Sequence, residues 1–131
     1  MDVQTYQGGC HCGRVRFEIT TDLSRATECN CSICSKKGYL HHMIGPERFR
    51  MVSGDDALEF YQFGTRVARH LFCRHCGVAS FYRPRADPTK YMINVRCLEG
   101  VDFTRLKVEK FDGQSWESQP NAPYKGVWKD V

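Results

Sequence analysis

Three cysteines fall within six residues at Cys29-Asn30-Cys31-Ser32-Ile33-Cys34, in the pattern C-x-C-x-x-C. From one tight turn, three thiolates at this spacing can face a single ion. Zinc prefers four ligands in a tetrahedron. Three protein ligands leave a position for water or substrate, whereas four cysteines close the site and usually serve structure. What takes the fourth position therefore separates chemistry from scaffolding.

Two further cysteine pairs flank this cluster in sequence. Cys10-His11-Cys12-Gly13 sets two cysteines one residue apart, and Cys73-Arg74-His75-Cys76-Gly77 is a zinc-knuckle pattern, C-x-x-C-G. In both, the glycine lets the backbone turn sharply behind the sulfurs. Each pair offers two ligands, so Cys10, Cys12, Cys73 and Cys76 together make a four-cysteine set of the structural kind. The alternative is that one pair is simply buried, because free cysteine packs as a small hydrophobe. Cys97 is left over: it either completes a second four-cysteine set with Cys29, Cys31 and Cys34 or stands apart, and spacing leaves both open.

The elements that must position these turns are short. Arg14 to Ile19 alternates polar and apolar residues and predicts a half-buried strand with Val15, Phe17 and Ile19 facing inward. Ser32 to Lys37 predicts a short helical turn stopped by Gly38. Strand composition recurs over 39–44, 48–52, 58–63, 79–83, 91–96 and 106–111, with breakers such as Gly45-Pro46 and Ser53-Gly54 between. Pro84 and Pro88 mark a loop that cannot enter a sheet interior. From Asp112 onward the chain is polar, and Trp116, Tyr124 and Trp128 predict that this tail packs. Many short strands without an amphipathic helix indicate a mainly β protein.

The chain has 131 residues, the expectation for one domain, 1–131. No apolar run is long enough for a membrane helix, and residues 1–9 show no basic-then-apolar signal pattern. Eight cysteines without such a signal point to a reducing compartment, the cytoplasm, where clusters of this kind bind metal more often than they form disulfides. The formal net charge of +4 counts every cysteine as neutral. Seven thiolates holding two zinc ions would lower it to +1, and no run of basic residues exists, so no nucleic-acid partner is expected.

The order of the motifs resembles a known family. Gly8-Gly9-Cys10-His11-Cys12-Gly13, Cys29–Cys34, Phe63-Gly64-Thr65, Phe72–Gly77 and Asn94–Glu99 are similar to the glutathione-dependent formaldehyde-activating enzymes, a family that includes the centromere-protein-V domain. The likeness runs from about Tyr6 to Phe111, leaving 112–131 as a C-terminal tail. It implies a zinc-stabilised β-tent fold. It implies a structural zinc on Cys10, Cys12, Cys73 and Cys76, and a second, catalytic zinc on Cys29, Cys31 and Cys34 with one position open. It also implies a lyase-type reaction that joins formaldehyde to glutathione as S-hydroxymethylglutathione. Cys97 matches no ligand position of the family.

The chemistry suits the residues. A thiol adds to an aldehyde as its thiolate, and zinc deprotonates a coordinated thiol. Three thiolates leave the zinc unit at −1, which favours an exchangeable thiol over strong Lewis-acid action. Glutathione carries two carboxylates, for which Lys36, Lys37, Arg66, Arg69 and Arg96 are candidate partners. His41 and His42 follow the cluster closely enough for one to face it, while His11 and His75 are expected to point away from the metal and His70 shares a strand with Phe72. The first reading is thus a zinc-dependent carbon–sulfur lyase or synthase acting on a small thiol such as glutathione. The alternative is a noncatalytic zinc module for protein interaction. A third, a redox enzyme with Cys97 as nucleophile, leaves the C-x-C-x-x-C cluster without a role.

Overall fold

The computed structural model describes residues 2–64 and 66–118, with side chains as far as Ser115. In chain order the elements are β1 (Gln4–Gly9), β2 (Arg16–Thr21), β3 (Arg25–Cys29), α1 (Cys34–Lys37), β4 (Leu40–Ile44), β5 (Phe49–Ser53), β6 (Leu58–Tyr61), β7 (His70–Cys73), β8 (Phe81–Tyr82), β9 (Tyr91–Asn94), β10 (Lys107–Phe111) and α2 (Gly113–Ser118). The protein is mainly β and its strands are short, as the sequence predicts. Among the described residues no helix is long and apolar enough to cross a membrane.

The strands form three sheets: β1-β2-β5, β10-β3-β4-β9-β8 and the β6-β7 hairpin. The alternation in β2 works as expected, since Phe17 and Ile19 are fully buried while Glu18 between them reaches Arg50 on β5. Rings fasten the first sheet to the second. Phe49 stacks on Tyr91 of β9 at 3.9 Å between centroids and on Phe17 at 5.7 Å, and Phe81 of β8 meets Phe17 and Phe49 edge-on. Ile93 and Val95, fully buried, complete this core with Val15 and Leu23. Aromatic pairs of this geometry add about 0.5–1.5 kcal/mol each beyond their buried area.

Two strands have no clear signal in the sequence. β1 contains Gly8-Gly9, and β3 has Ala26 as its one buried residue; both are strands because neighbours supply the ladder. β1 pairs with β2 from Gln4↔Thr21 to Gly9↔Arg16, and β3 lies between β4 and β10. Sheet context overrides weak local preference here. The strand expected over 79–83 shrinks to Phe81–Tyr82, with Pro84, which has no N–H to give a ladder, just beyond it. β10 runs parallel to β3 and sets Phe111 opposite Cys29, so the C-terminal strand ends beside the central cysteine cluster. The helix α2 that follows takes up the start of the expected polar tail. The expected packing of Trp116, Tyr124 and Trp128 falls outside the described residues and side chains.

Candidate active site

The sulfurs of Cys10, Cys12, Cys73 and Cys76 lie within 4.8 Å of one another, so the pairs separated in sequence meet in space. Cys10 and Cys12 sit on the turn between β1 and β2, while Cys73 ends β7 and Cys76 follows it. Gly13 (φ 83°) and Gly77 (φ 79°) take the left-handed conformation that each turn requires. Sulfur–sulfur distances of 3.6 Å (Cys10–Cys12) and 3.7 Å (Cys12–Cys73) match the edge of about 3.8 Å of a tetrahedron with 2.3 Å zinc–sulfur bonds. Val15 N–H donates to Cys10 Sγ at 3.3 Å and His75 N–H to Cys73 Sγ at 3.4 Å, as suits thiolates. Hydrogen bonds from Arg14 bring the Cys12 thiol down to about 6. The donor set fits a closed zinc site.

Cys29, Cys31 and Cys34 form the second cluster, again with all sulfurs within 4.8 Å. Among the described residues, no fourth His, Cys, Asp or Glu ligand atom completes it. Cys29 ends β3 and Cys34 opens α1, which stops at Gly38. Hydrogen bonds from the Cys29 and Cys34 thiols, helped by backbone N–H groups of Cys34 and Ile33, push the Cys31 thiol down to about 2. The same sharing with Cys29 and Cys31, together with burial, pushes Cys34 up. A divalent ion would take the place of the protons these three sulfurs share.

The C-terminal segment clamps this turn. Asn30 N–H donates to Phe111 O, Asn30 Nδ2 donates to Asp112 Oδ1 at 3.1 Å, and Gln114 N–H donates to Asn30 Oδ1 at 3.0 Å. Gly113 lies so close that a Cβ there would stand 2.5 Å from Cys29 Sγ and 2.8 Å from Cys31 Cβ. Only a residue without a side chain fits.

The three cysteines line a cavity of about 360 Å³. Its walls include Ile33, Met43, Phe63, Met92 and Phe111, with His41, His70, Tyr82 and Arg85 as polar members. His41 is buried. Its Nδ1 pairs with the Tyr82 hydroxyl at 3.0 Å, and its Nε2 is buried with no hydrogen-bond partner among the described residues. Burial brings His41 and His70 down to about 4, so both are neutral near pH 7, and burial holds the Tyr82 phenol well above its usual range. His70 stacks between Phe63 (5.4 Å) and Tyr82 (5.1 Å).

The profile of a family described as glutathione-dependent formaldehyde-activating enzyme matches residues 5–114. The chain belongs to this family. A Halomonas elongata protein whose provisional name is glutathione-dependent formaldehyde-activating enzyme is 32% identical over 82 residues, covering 56% of this chain and 52% of the relative. The match therefore spans about half that relative's length. The crystal structure of a Rhodobacter sphaeroides protein is 36% identical, superposes with a TM-score of 0.70, and covers 78% of this chain and 98% of that one.

Within this member of the glutathione-dependent formaldehyde-activating family, the structure sorts the remaining candidates. Cys97 joins neither cluster; its sulfur faces Ala79 O at 3.8 Å, and burial raises its thiol. Of the two adjacent histidines, His41 lines the cavity, whereas His42 is held by Thr21 Oγ1 (2.9 Å) and the carbonyl of Arg25 (3.1 Å). His11 and His75 are exposed. Lys36, Lys37, Arg66, Arg69 and Arg96 are exposed and none lines the cavity; Arg69 lies over the Phe60 ring at 5.1 Å. Among the described residues, the cation in the wall is Arg85, from the loop bounded by Pro84 and Pro88. Sequence reasoning missed Arg85, Tyr82 and Gly113. Loop composition conceals the first, and the last two stand out only once β8 and β10 are placed beside the cluster.

Proposed function

We propose that this protein is a zinc-dependent carbon–sulfur lyase or synthase that joins an aldehyde to a thiol and, in reverse, releases them. Glutathione and formaldehyde, the compounds in the family's description, are the substrates in this reading, and S-hydroxymethylglutathione is the product. Cys10, Cys12, Cys73 and Cys76 hold one zinc for structure. Cys29, Cys31 and Cys34 hold the second and leave its fourth position to substrate. The observation that carries the reading is a three-sulfur cluster, with no fourth ligand atom among the described residues, in the wall of a cavity large enough for substrate.

Zinc held by Cys29, Cys31 and Cys34 would supply a place where a substrate thiol ionises. The chain's own residues set the rest. The N–H groups at Cys34 and Ile33 support charge on Cys31. The Tyr82 hydroxyl holds the His41 ring through Nδ1, and His41 Nε2 is buried with no hydrogen-bond partner among the described residues. In the forward direction a bond forms from sulfur to the carbonyl carbon, the π pair of the carbonyl moves to oxygen, and the thiol proton ends on that oxygen. Nothing is oxidised or reduced. In this reading the chain acts as one zinc-binding domain with a small thiol as its partner, supported by the family match over residues 5–114.

The test is exchange NMR on mixed glutathione and formaldehyde. Zinc-loaded wild type is expected to accelerate formation of S-hydroxymethylglutathione, and Cys31→Ser is expected to leave it at the rate without protein. Equal rates with and without zinc-loaded wild type would refute the proposal.

A further inference from the structure

We infer that a second pocket, on the far side of β7, β8 and β9 from the cysteine cavity, binds a small organic acid: a flat apolar body carrying one carboxylate. This site is independent of the carbon–sulfur chemistry proposed above. β8 and β9 pair directly, and a bridge between Arg69 and Arg83 ties the start of β7 to the end of β8. Side chains alternate along these strands. His70, Tyr82 and Met92 line the cavity beside Cys29, Cys31 and Cys34, whereas Leu71, Phe81, Arg83 and Tyr91 line the second pocket. Its volume of about 480 Å³ lies within the range of about 300–1,000 Å³ usual for small-molecule sites.

Backbone pairing places the charges. Arg69 N–H donates to Arg83 O and Arg83 N–H to Arg69 O, each at 3.0 Å, so the two side chains leave one antiparallel bridge side by side. Like charges directly opposite each other repel. A ring steadies each guanidinium. Arg83 lies over Tyr91 at 4.0 Å, with its Nε donating to Pro88 O at 3.0 Å, and Arg69 lies over Phe60 at 5.1 Å. Both arginines line the pocket, and an anion seated between them replaces their repulsion with attraction. The planar guanidinium fork suits a carboxylate. Asp55 lines the same pocket, so two cations face one anion among the described residues, a balance that favours a monoanion over a doubly charged phosphate.

The rest of the wall asks for an apolar body. Phe49, Met51, Leu58, Leu71 and Tyr91 are half-buried and packed against the core, and Phe49 stacks on Tyr91 at 3.9 Å. An inorganic anion would leave this surface to water. An organic acid covers it while its carboxylate meets the arginines.

The probe is 2-naphthoate, with uncharged 2-naphthamide as its control. Each is titrated into zinc-loaded full-length protein and followed by backbone amide shifts in NMR spectra. Naphthoate is expected to saturate, to shift the amides of Leu71, Phe81, Arg83 and Tyr91, and to bind at least tenfold tighter than naphthamide. Arg69→Gln and Arg83→Gln are each expected to weaken naphthoate at least fivefold and to leave naphthamide unchanged. Should Arg83→Gln fail to fold, Arg69→Gln, at an exposed position, carries the test. Equal binding of the two compounds, shifts confined to the cysteine cavity, no saturable shift, or full naphthoate affinity in folded Arg69→Gln overturns the inference. None of these outcomes touches the carbon–sulfur reading, which is judged by zinc-dependent turnover.

Discussion

The two cysteine clusters share a ligand type and differ in everything around it. Cys12 and Cys73, 61 residues apart in sequence, bring their sulfurs to 3.7 Å, so the first cluster fastens the β1–β2 turn to the end of β7. Cys29, Cys31 and Cys34 all come from one turn and line a cavity. A metal that joins remote segments contributes its binding energy to folding. A metal held by one local turn joins no remote segments through its ligands and contributes less to the fold. The difference lies in chain separation and ligand count.

The largest way to test that contrast is to remove one ligand from each cluster. Structural zinc contributes on the order of 10–16 kcal/mol of apparent free energy to folding, more than the net stability of many domains. Cys73→Ser is therefore expected to abolish the cooperative thermal transition seen by circular dichroism. Cys31→Ser is expected to stay folded and to lose one zinc of two by elemental analysis. Equal loss of stability in both variants would make both sites structural.

A smaller effect sharpens the comparison. Mild chelation is expected to strip the three-cysteine site first, with the far-UV spectrum unchanged at one zinc per chain. Release of both ions together would argue against a difference in closure.

Gly113 tests the second site through its surroundings alone. Gly113→Leu must displace the Cys29–Cys31 turn, because a Cβ at this position already meets Cys29 Sγ at 2.5 Å. Zinc content is expected to fall toward one per chain, and melting to drop by only a few degrees. Retention of two zinc ions would show that the clamp through Asn30 and Asp112 yields without consequence.

Much of this contrast is legible in sequence. The C-x-C and C-x-x-C-G pairs point to one four-sulfur cluster because each is half of a four-ligand set, and the alternation in 14–19 announces β2 because its period puts Phe17 and Ile19 on one face. The parallel pairing of β10 with β3 is not legible: it depends on a partner strand more than seventy residues away, and it brings Gly113 to Cys29. Arg85 is hidden for a related reason. Its loop looks solvent-facing in composition, yet the fold turns it into the cavity wall. The choice between His41 and His42 depends on which side of β4 faces the cluster, and that follows from strand pairing with β9 and not from proximity in sequence.

The central claim is that the second cluster has three protein ligands and one position for a substrate thiol. Titrating glutathione into two-zinc protein by calorimetry, in wild type and in Cys97→Ser, tests it most directly. The account predicts one zinc-dependent binding event per chain in both proteins, with zinc content unchanged by the substitution. Absence of thiol binding in wild type, together with loss of one zinc in Cys97→Ser, would mean that Cys97 closes the site, and would contradict the account.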